Sequence, residues 1–151
     1  MNKRTIYTIA TCIWVAVIFT FSLQPGEVSG DISGSFLYKI LHTFVPGIYD
    51  KLITSSPEQL ELFHTILRKC AHFSEFMILG ILSSLTMVHT KFRQKALLAI
   101  GFCVAVAMTD ETIQLFVDGR AGRVLDVLID SAGAITGVMA VLGIRKIRCK
   151  N

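Results

Sequence analysis

The sequence predicts an all-α integral membrane protein with four transmembrane helices and one or two interfacial helices in the first outer loop. Hydrophobic residues make up 52% of its 151 residues, above the apolar share of an ordinary soluble domain. Four apolar segments approach the roughly 20 residues that a membrane-spanning helix needs, and they cover 5–23, 71–89, 96–117 and 124–144. They use most of the chain, so we expect one membrane domain over residues 1–151.

The first predicted span follows Lys3 and Arg4 and contains no charged residue from position 5 to position 23. This segment exceeds the ~7 to 15 apolar residues of a secretory signal, and no small-x-small cleavage site follows it. We therefore expect a retained anchor. Pro25 and Gly26 end the predicted helix, because proline and glycine both disfavour its continuation.

The segment between the first two spans contains two amphipathic stretches, 36–41 and 60–67, whose apolar residues recur at helical spacing. Helices of this kind lie in the membrane interface. A helix start is also recognisable, with Ser56 as the N-cap, Pro57 at the first helical position and Gln59 at the capping-box position. No proline or glycine follows before position 80, so this helix could continue into the second span.

Short polar turns at 90–95 and 118–123 separate the last three spans. The fourth span contains Gly133 and Gly137, and this small-xxx-small spacing lets two membrane helices approach each other closely.

The positions of lysine and arginine predict the orientation of the chain. Nine of the fifteen lie on one predicted side, which the positive-inside rule makes the cytoplasm, so both termini are expected there. All eleven acidic residues fall on the other side or in the half of the membrane next to it. Because the basic residues form short clusters beside apolar segments, topology explains the net charge of +4 better than nucleic-acid binding does.

Three of the predicted spans carry polar residues at similar depth near the outer face. Arg68, His72 and Glu75 share one helix face by their spacing, and Arg123, Asp126 and Asp130 share another. Charged residues inside a membrane are costly unless they face one another, water or a ligand. We therefore expect one outward-facing polar site with these ligand-binding candidates: Arg68, Lys69, His72, Glu75, Asp110, Glu111, Gln114, Arg120, Asp126 and Asp130.

Several interpretations of this site remain open. The basic residues could pair with the carboxylates and hold the bundle together. Acid–base catalysis has His72, Glu75, Asp110 and Glu111 as candidates, although no motif points to a nucleophile. His72 and Glu75 also resemble half of a carboxylate–histidine metal site, but a second such repeat is missing. We therefore expect no metal and no cofactor, with a divalent cation as the less favoured alternative. A transporter is disfavoured, because no acidic residue is expected in the cytoplasmic half.

Four motifs occur in order along the chain: Phe21-Ser22-Leu23-Gln24-Pro25, Arg68-Lys69-Cys70-Ala71-His72-Phe73-Ser74-Glu75-Phe76, Asp110-Glu111-Thr112-Ile113-Gln114-Leu115-Phe116 with Gly119-Arg120, and Asp126-Val127 with Gly133. Together they resemble the VanZ-like membrane protein family over almost the whole chain. Two positions depart from the family pattern. Asp118 stands where proline is often found, and Asp130 stands where asparagine is common.

The resemblance implies a multi-pass protein of the bacterial cell membrane with a role in the cell envelope. It also implies lowered sensitivity to lipoglycopeptide antibiotics such as teicoplanin. Combined with the polar site, it favours binding of an amphiphilic ligand, lipid-linked or lipoglycopeptide, and the alternative is a membrane-embedded enzyme that acts on an envelope lipid headgroup. The lipid bilayer is the expected partner and nucleic acid is not. The sequence leaves the oligomeric state open.

Overall fold

The computed structural model describes residues 2–26, 57–87 and 92–148, together with the isolated positions 28, 35, 39 and 43. This part of the chain contains four helices, which are α1 (Lys3–Ser22), α2 (Pro57–Thr86), α3 (Phe92–Gln114) and α4 (Val124–Arg148). Apart from position 39, the predicted amphipathic stretch 36–41 lies outside the described residues.

Three of these helices are long and apolar enough to cross a membrane: α1, α4 and the part of α3 from Gln94 to Gln114. The α2 helix is longer than any of them, with 30 residues, but it carries five charged side chains. The described fold is therefore that of a helical membrane protein with three candidate spans.

The helix boundaries follow local signals in the sequence. The α2 helix begins at Pro57, as its capping pattern predicts, and the predicted amphipathic stretch 60–67 is part of this continuous helix. The α3 helix ends at Gln114, three residues before the predicted end, because Phe116 and Val117 donate to carbonyls only three residues back. The α4 helix continues to Arg148, where basic residues in the last turn favour the negative end of the helix dipole.

The closest packing in the bundle is between α2 and α4. A Cβ atom added at Gly133 would overlap the backbone carbonyl of Phe73, and one added at Gly137 would overlap that of Met77. From the other side, a Cβ at Gly80 would overlap the carbonyl of Ala134. The predicted small-xxx-small spacing of α4 is therefore used to bring its backbone against α2.

The bundle has apolar residues on much of its outer surface and several polar residues inside. Leu97, Met108 and Met139 are each more than half exposed, whereas Asp110 and Asp130 have no exposed surface. A central apolar cluster packs the helices together and consists of Ile18, Phe76, Leu79, Cys103, Val106, Ala107 and Ala134. This distribution suits a lipid environment, where exposed apolar side chains carry no cost.

The α1 helix is fastened to the rest of the bundle by polar contacts. The indole Nε1 of Trp14 donates to the backbone carbonyl of Glu75 at 2.9 Å. At the end of α1, the Gly26 N–H donates to the carbonyl of Asp118 at 3.0 Å. The adjacent Gly119 has a φ of +73°, which glycine adopts without steric cost. The turn between α3 and α4 is thereby held against the end of α1.

Candidate functional site

A buried hydrogen-bond network connects α1 to α3 around Asp110. The Ser22 hydroxyl donates to Oδ1 of Asp110, and the Gln114 amide donates to its Oδ2 at 3.0 Å. The same amide lies 3.4 Å from Oε1 of Glu111. Because position 114 is one helical turn after both position 110 and position 111, the end of α3 brings the Gln114 amide to both carboxylates.

Glu111 also stabilises the start of α4. Its Oε2 accepts a hydrogen bond from the backbone N–H of Arg123 at 2.7 Å. This N–H directly precedes the first residue of α4, and a carboxylate is favourable near the positive end of a helix dipole. Asp126 lies in the first turn of the same helix and forms an ion pair with Lys69 at 3.3 Å.

Arg120 binds backbone carbonyls at the end of α1. Its Nε donates to the carbonyl of Gln24 and its Nη2 to that of Phe21, each at 3.0 Å. Burial lowers the pKa of Arg120, and the charge of Arg68 acts in the same direction, while nearby carboxylates oppose both effects. The ordinary pKa of a guanidinium is so high that Arg120 stays charged despite this shift.

His72, Asp110 and Asp130 meet in the interior although they belong to α2, α3 and α4. One ligand atom from each lies within 4.8 Å of the other two. The Nδ1 atom of His72 is 3.8 Å from Oδ1 of Asp130, which is too far for a hydrogen bond. Within the described part of the chain, neither oxygen of Asp130 has a hydrogen-bond partner.

A groove of about 550 Å³ lies beside this cluster, between α1 and α2. Its apolar lining includes Trp14, Phe21, Leu67 and Ile78. Its polar lining is formed by these side chains from α1, α2 and the turn before α4: Ser22, Gln24, Arg68, His72, Ser74, Glu75 and Arg120. The groove therefore combines apolar walls with two guanidinium groups, an imidazole and a carboxylate.

The structure divides the ten predicted ligand-binding residues into three groups. Arg68, His72, Glu75 and Arg120 line the groove. Lys69 and Asp126 pair with each other. The remaining four are buried behind the groove, in the hydrogen-bond network or beside His72: Asp110, Glu111, Gln114 and Asp130.

The sequence reasoning missed the α1 side of the groove. Trp14 lines it, and Ser22 both lines it and donates to Asp110. Trp14 lies within an apolar span, so nothing in its sequence position distinguished it from a lipid-facing or packed residue. Ser22 and Gln24 could have been found, because they belong to the first of the four motifs that resemble the VanZ-like family.

The fold and the groove define a helical membrane protein with a partly polar groove between two of its helices. A family model described as VanZ/LLP1 matches residues 7–145, which is nearly the whole chain. The chain therefore belongs to the VanZ/LLP1 family, and this confirms the resemblance noted in its motifs. Comparison with curated proteins and comparison with solved structures each found no significant match.

Proposed function

We propose that this chain is a bacterial cell-envelope protein whose groove between α1 and α2 binds an amphiphile with an anionic headgroup. The observation that carries the proposal is the groove itself, which joins apolar walls to Arg68 and Arg120 in one cavity. Its volume of about 550 Å³ is in the range of ordinary small-molecule sites.

The chemistry of the lining fits the two parts of such a ligand. Trp14, Phe21 and Ile78 offer apolar surface to an acyl chain. Arginine pairs well with phosphate and carboxylate, and Arg120 retains N–H groups beyond the two that bind carbonyls. The Glu75 carboxylate can accept hydrogen bonds from sugar or amine groups of the same ligand.

In this proposal α2 also crosses the membrane, in addition to the three candidate spans, and both termini are cytoplasmic. The close contact of α2 with α4 supports the first part, because Gly133 and Gly137 place the α2 backbone directly against a helix that is itself a candidate span. The basic residues at the end of α4 support the second part by the positive-inside rule. The groove then opens towards the outer leaflet, where an envelope lipid would reach it.

The fluorescence of Trp14 tests the binding site, since this residue lines the groove and is the single tryptophan of the chain. The purified protein in detergent is titrated with phosphatidylglycerol or phosphatidylcholine that carries bromine on its acyl chains, because bromine quenches nearby tryptophan. We expect phosphatidylglycerol to quench at the lower concentration. Loss of one charged hydrogen bond in Arg68→Gln should reduce this preference about tenfold.

Arg123→Gln is the matched control, because the exposed Arg123 side chain is not part of the groove lining. It should retain the preference of the unchanged protein. Equal quenching by the two lipids, or an Arg68→Gln variant that behaves like the control, would contradict anionic headgroup binding.

Lowered teicoplanin sensitivity is the physiological part of the proposal. The protein is expressed in a sensitive bacterial host and compared with Arg68→Gln and Arg123→Gln at matched protein levels. We expect the unchanged protein and Arg123→Gln to raise the inhibitory teicoplanin concentration, and Arg68→Gln to raise it less. Unchanged susceptibility in all three strains would exclude the resistance role.

A second candidate function is an enzyme that acts on an envelope lipid headgroup. His72 favours it, because this imidazole lines the groove and lies 3.8 Å from the buried Asp130 carboxylate. A histidine beside a carboxylate can transfer protons during a reaction. The test incubates purified protein with bacterial lipid extracts and divalent cations and follows lipid masses. A product formed by the unchanged protein and not by His72→Gln supports catalysis, and no product under any condition counts against it.

A further inference from the structure

Three potential metal ligands converge in the interior of the bundle from three different helices. They are one imidazole nitrogen of His72 on α2 and one carboxylate oxygen each of Asp110 on α3 and Asp130 on α4. These atoms lie within 4.8 Å of one another. Nitrogen and oxygen donors on one tetrahedral zinc ion are ~3.4 Å apart, so side-chain movements of about 1 to 1.5 Å would complete the coordination.

Asp130 is the member of this cluster that most requires a partner. Its side chain has no exposed surface, and among the described residues neither of its oxygens accepts a hydrogen bond. The Nδ1 atom of His72, which faces it at 3.8 Å, is also without a hydrogen bond in the described part of the chain. Burial of an ionised carboxylate without a partner is costly, and either a proton or a bound cation would remove that cost.

Two basic side chains around the cluster have partners of their own, and a third, Arg68, lines the groove. Lys69 pairs with Asp126, and Arg120 donates to the carbonyls of Phe21 and Gln24. The two interior carboxylates of Asp110 and Asp130 carry a combined formal charge that one divalent cation would balance.

We propose that His72, Asp110 and Asp130 bind one divalent transition-metal ion, Zn²⁺ or Mn²⁺. Imidazole nitrogen favours transition metals over Mg²⁺ and Ca²⁺, while the two carboxylates suit zinc and manganese and offer no sulfur to softer ions. This site differs from the sequence-based prediction, which is that no metal is bound. The less favoured metal alternative used both His72 and Glu75 of one helix, whereas here the two carboxylate ligands are Asp110 and Asp130, each on another helix.

The surroundings of Asp110 have the character of a metal site. Ser22 and Gln114 donate to its two oxygens and hold the carboxylate in place, as outer partners of metal ligands commonly do. Three protein ligands leave at least one coordination position for water or an anionic group. The ion would lie next to the groove, because His72 belongs to both, but its binding does not depend on an amphiphile.

The metal content of the purified full-length protein tests the inference. The protein in detergent is stripped with EDTA, reloaded with Zn²⁺ or Mn²⁺, freed of excess ion and analysed by mass spectrometry of the metal. We expect one ion per chain. Asp130→Asn should weaken the affinity at least about tenfold, because even the loss of an outer partner of a metal ligand costs about that much. The matched control is Asp118→Asn in the turn before α4, whose exposed side chain is not part of the cluster and which should bind like the unchanged protein.

A second measurement needs no variant that alters the bundle. Electron spin-echo spectroscopy of the Mn²⁺-loaded unchanged protein should show coupling to an imidazole nitrogen, and the metal should raise its melting temperature. Absence of stoichiometric metal, absence of the nitrogen coupling, or undiminished affinity in a folded Asp130→Asn protein would each overturn the site. None of these outcomes depends on lipid or antibiotic binding, so the proposed function is tested separately.

Discussion

At the scale of single residues, Arg120 connects the turn before α4 to the end of α1. Two of its N–H groups bind the carbonyls of Phe21 and Gln24. Both carbonyls lie at or beyond the last turn of α1, where the regular helical donor four residues further on is missing. The planar guanidinium reaches both carbonyls at once, which a single ammonium group does less well. Arg120 therefore contributes to stability as well as to the groove.

The substitution Arg120→Lys tests this role. We expect it to lower the free energy of unfolding by about 1.5 to 3 kcal/mol, because at least one charged hydrogen bond is lost while the positive charge remains. Unfolding of the purified protein in mixed micelles with increasing SDS measures the change.

Arg123→Lys serves as the control for Arg120→Lys. The Arg123 side chain is exposed, and its contact with Glu111 uses the backbone N–H, which lysine retains. It should change stability by less than about 0.5 kcal/mol. Equal stability of the two variants would show that the carbonyl contacts of Arg120 contribute little.

At the scale of helices, the contact between α2 and α4 depends on glycine. Gly133 and Gly137 face the carbonyls of Phe73 and Met77, so the two backbones touch without intervening side chains. Phe73 follows His72 directly along α2, and Asp130 lies one turn before Gly133 on α4. Close backbone packing therefore also sets the separation of the two side chains that we place at the metal.

Gly137→Ala should destabilise the bundle by about 1 to 3 kcal/mol, because the added methyl group overlaps a backbone carbonyl that cannot move independently. Gly143→Ala is the matched control on the same helix, since nothing lies within 4 Å of its added Cβ. This control should be neutral or stabilising by up to about 1 kcal/mol, because alanine favours a helix over glycine. Thermal unfolding in detergent compares the two, and equal melting temperatures would contradict close packing at Gly137.

At the scale of the whole molecule, charge is distributed in a way that predicts its orientation. Basic residues end α4, whereas the acidic residues of the described helices lie in α2, in the last turn of α3 and in the first turns of α4. The orientation that satisfies the positive-inside rule places the groove and the interior carboxylates in the outer half of the membrane.

Cysteine labelling tests this orientation. Cys70 is exposed and lines the groove, and Cys149 lies in the basic C-terminal segment. In variants that keep one cysteine each, a membrane-impermeant maleimide should label Cys70 in intact cells and Cys149 only after the cells are opened. Buried Cys103 should react only after denaturation, as a control for a folded bundle. Labelling of Cys149 from outside would require the opposite orientation.

The sequence by itself determined the helical membrane class, the approximate positions of three candidate spans, the start of α2 at Pro57 and the family. These properties depend on apolar length, on caps and on motifs, which are local in the chain. It also indicated that polar residues of three helices belong near one another, because equal depth in a membrane follows from counting residues along each span.

Only the tertiary structure decided which of those residues meet. The rotation of each helix about its axis is set by packing, and the glycine contacts of α4 with α2 turn Asp130 towards His72, while Arg120 turns towards backbone carbonyls. Spacing within one helix cannot predict contacts between helices. The pairing of Lys69 with Asp126 and the meeting of His72, Asp110 and Asp130 therefore became visible only once the helices were packed together.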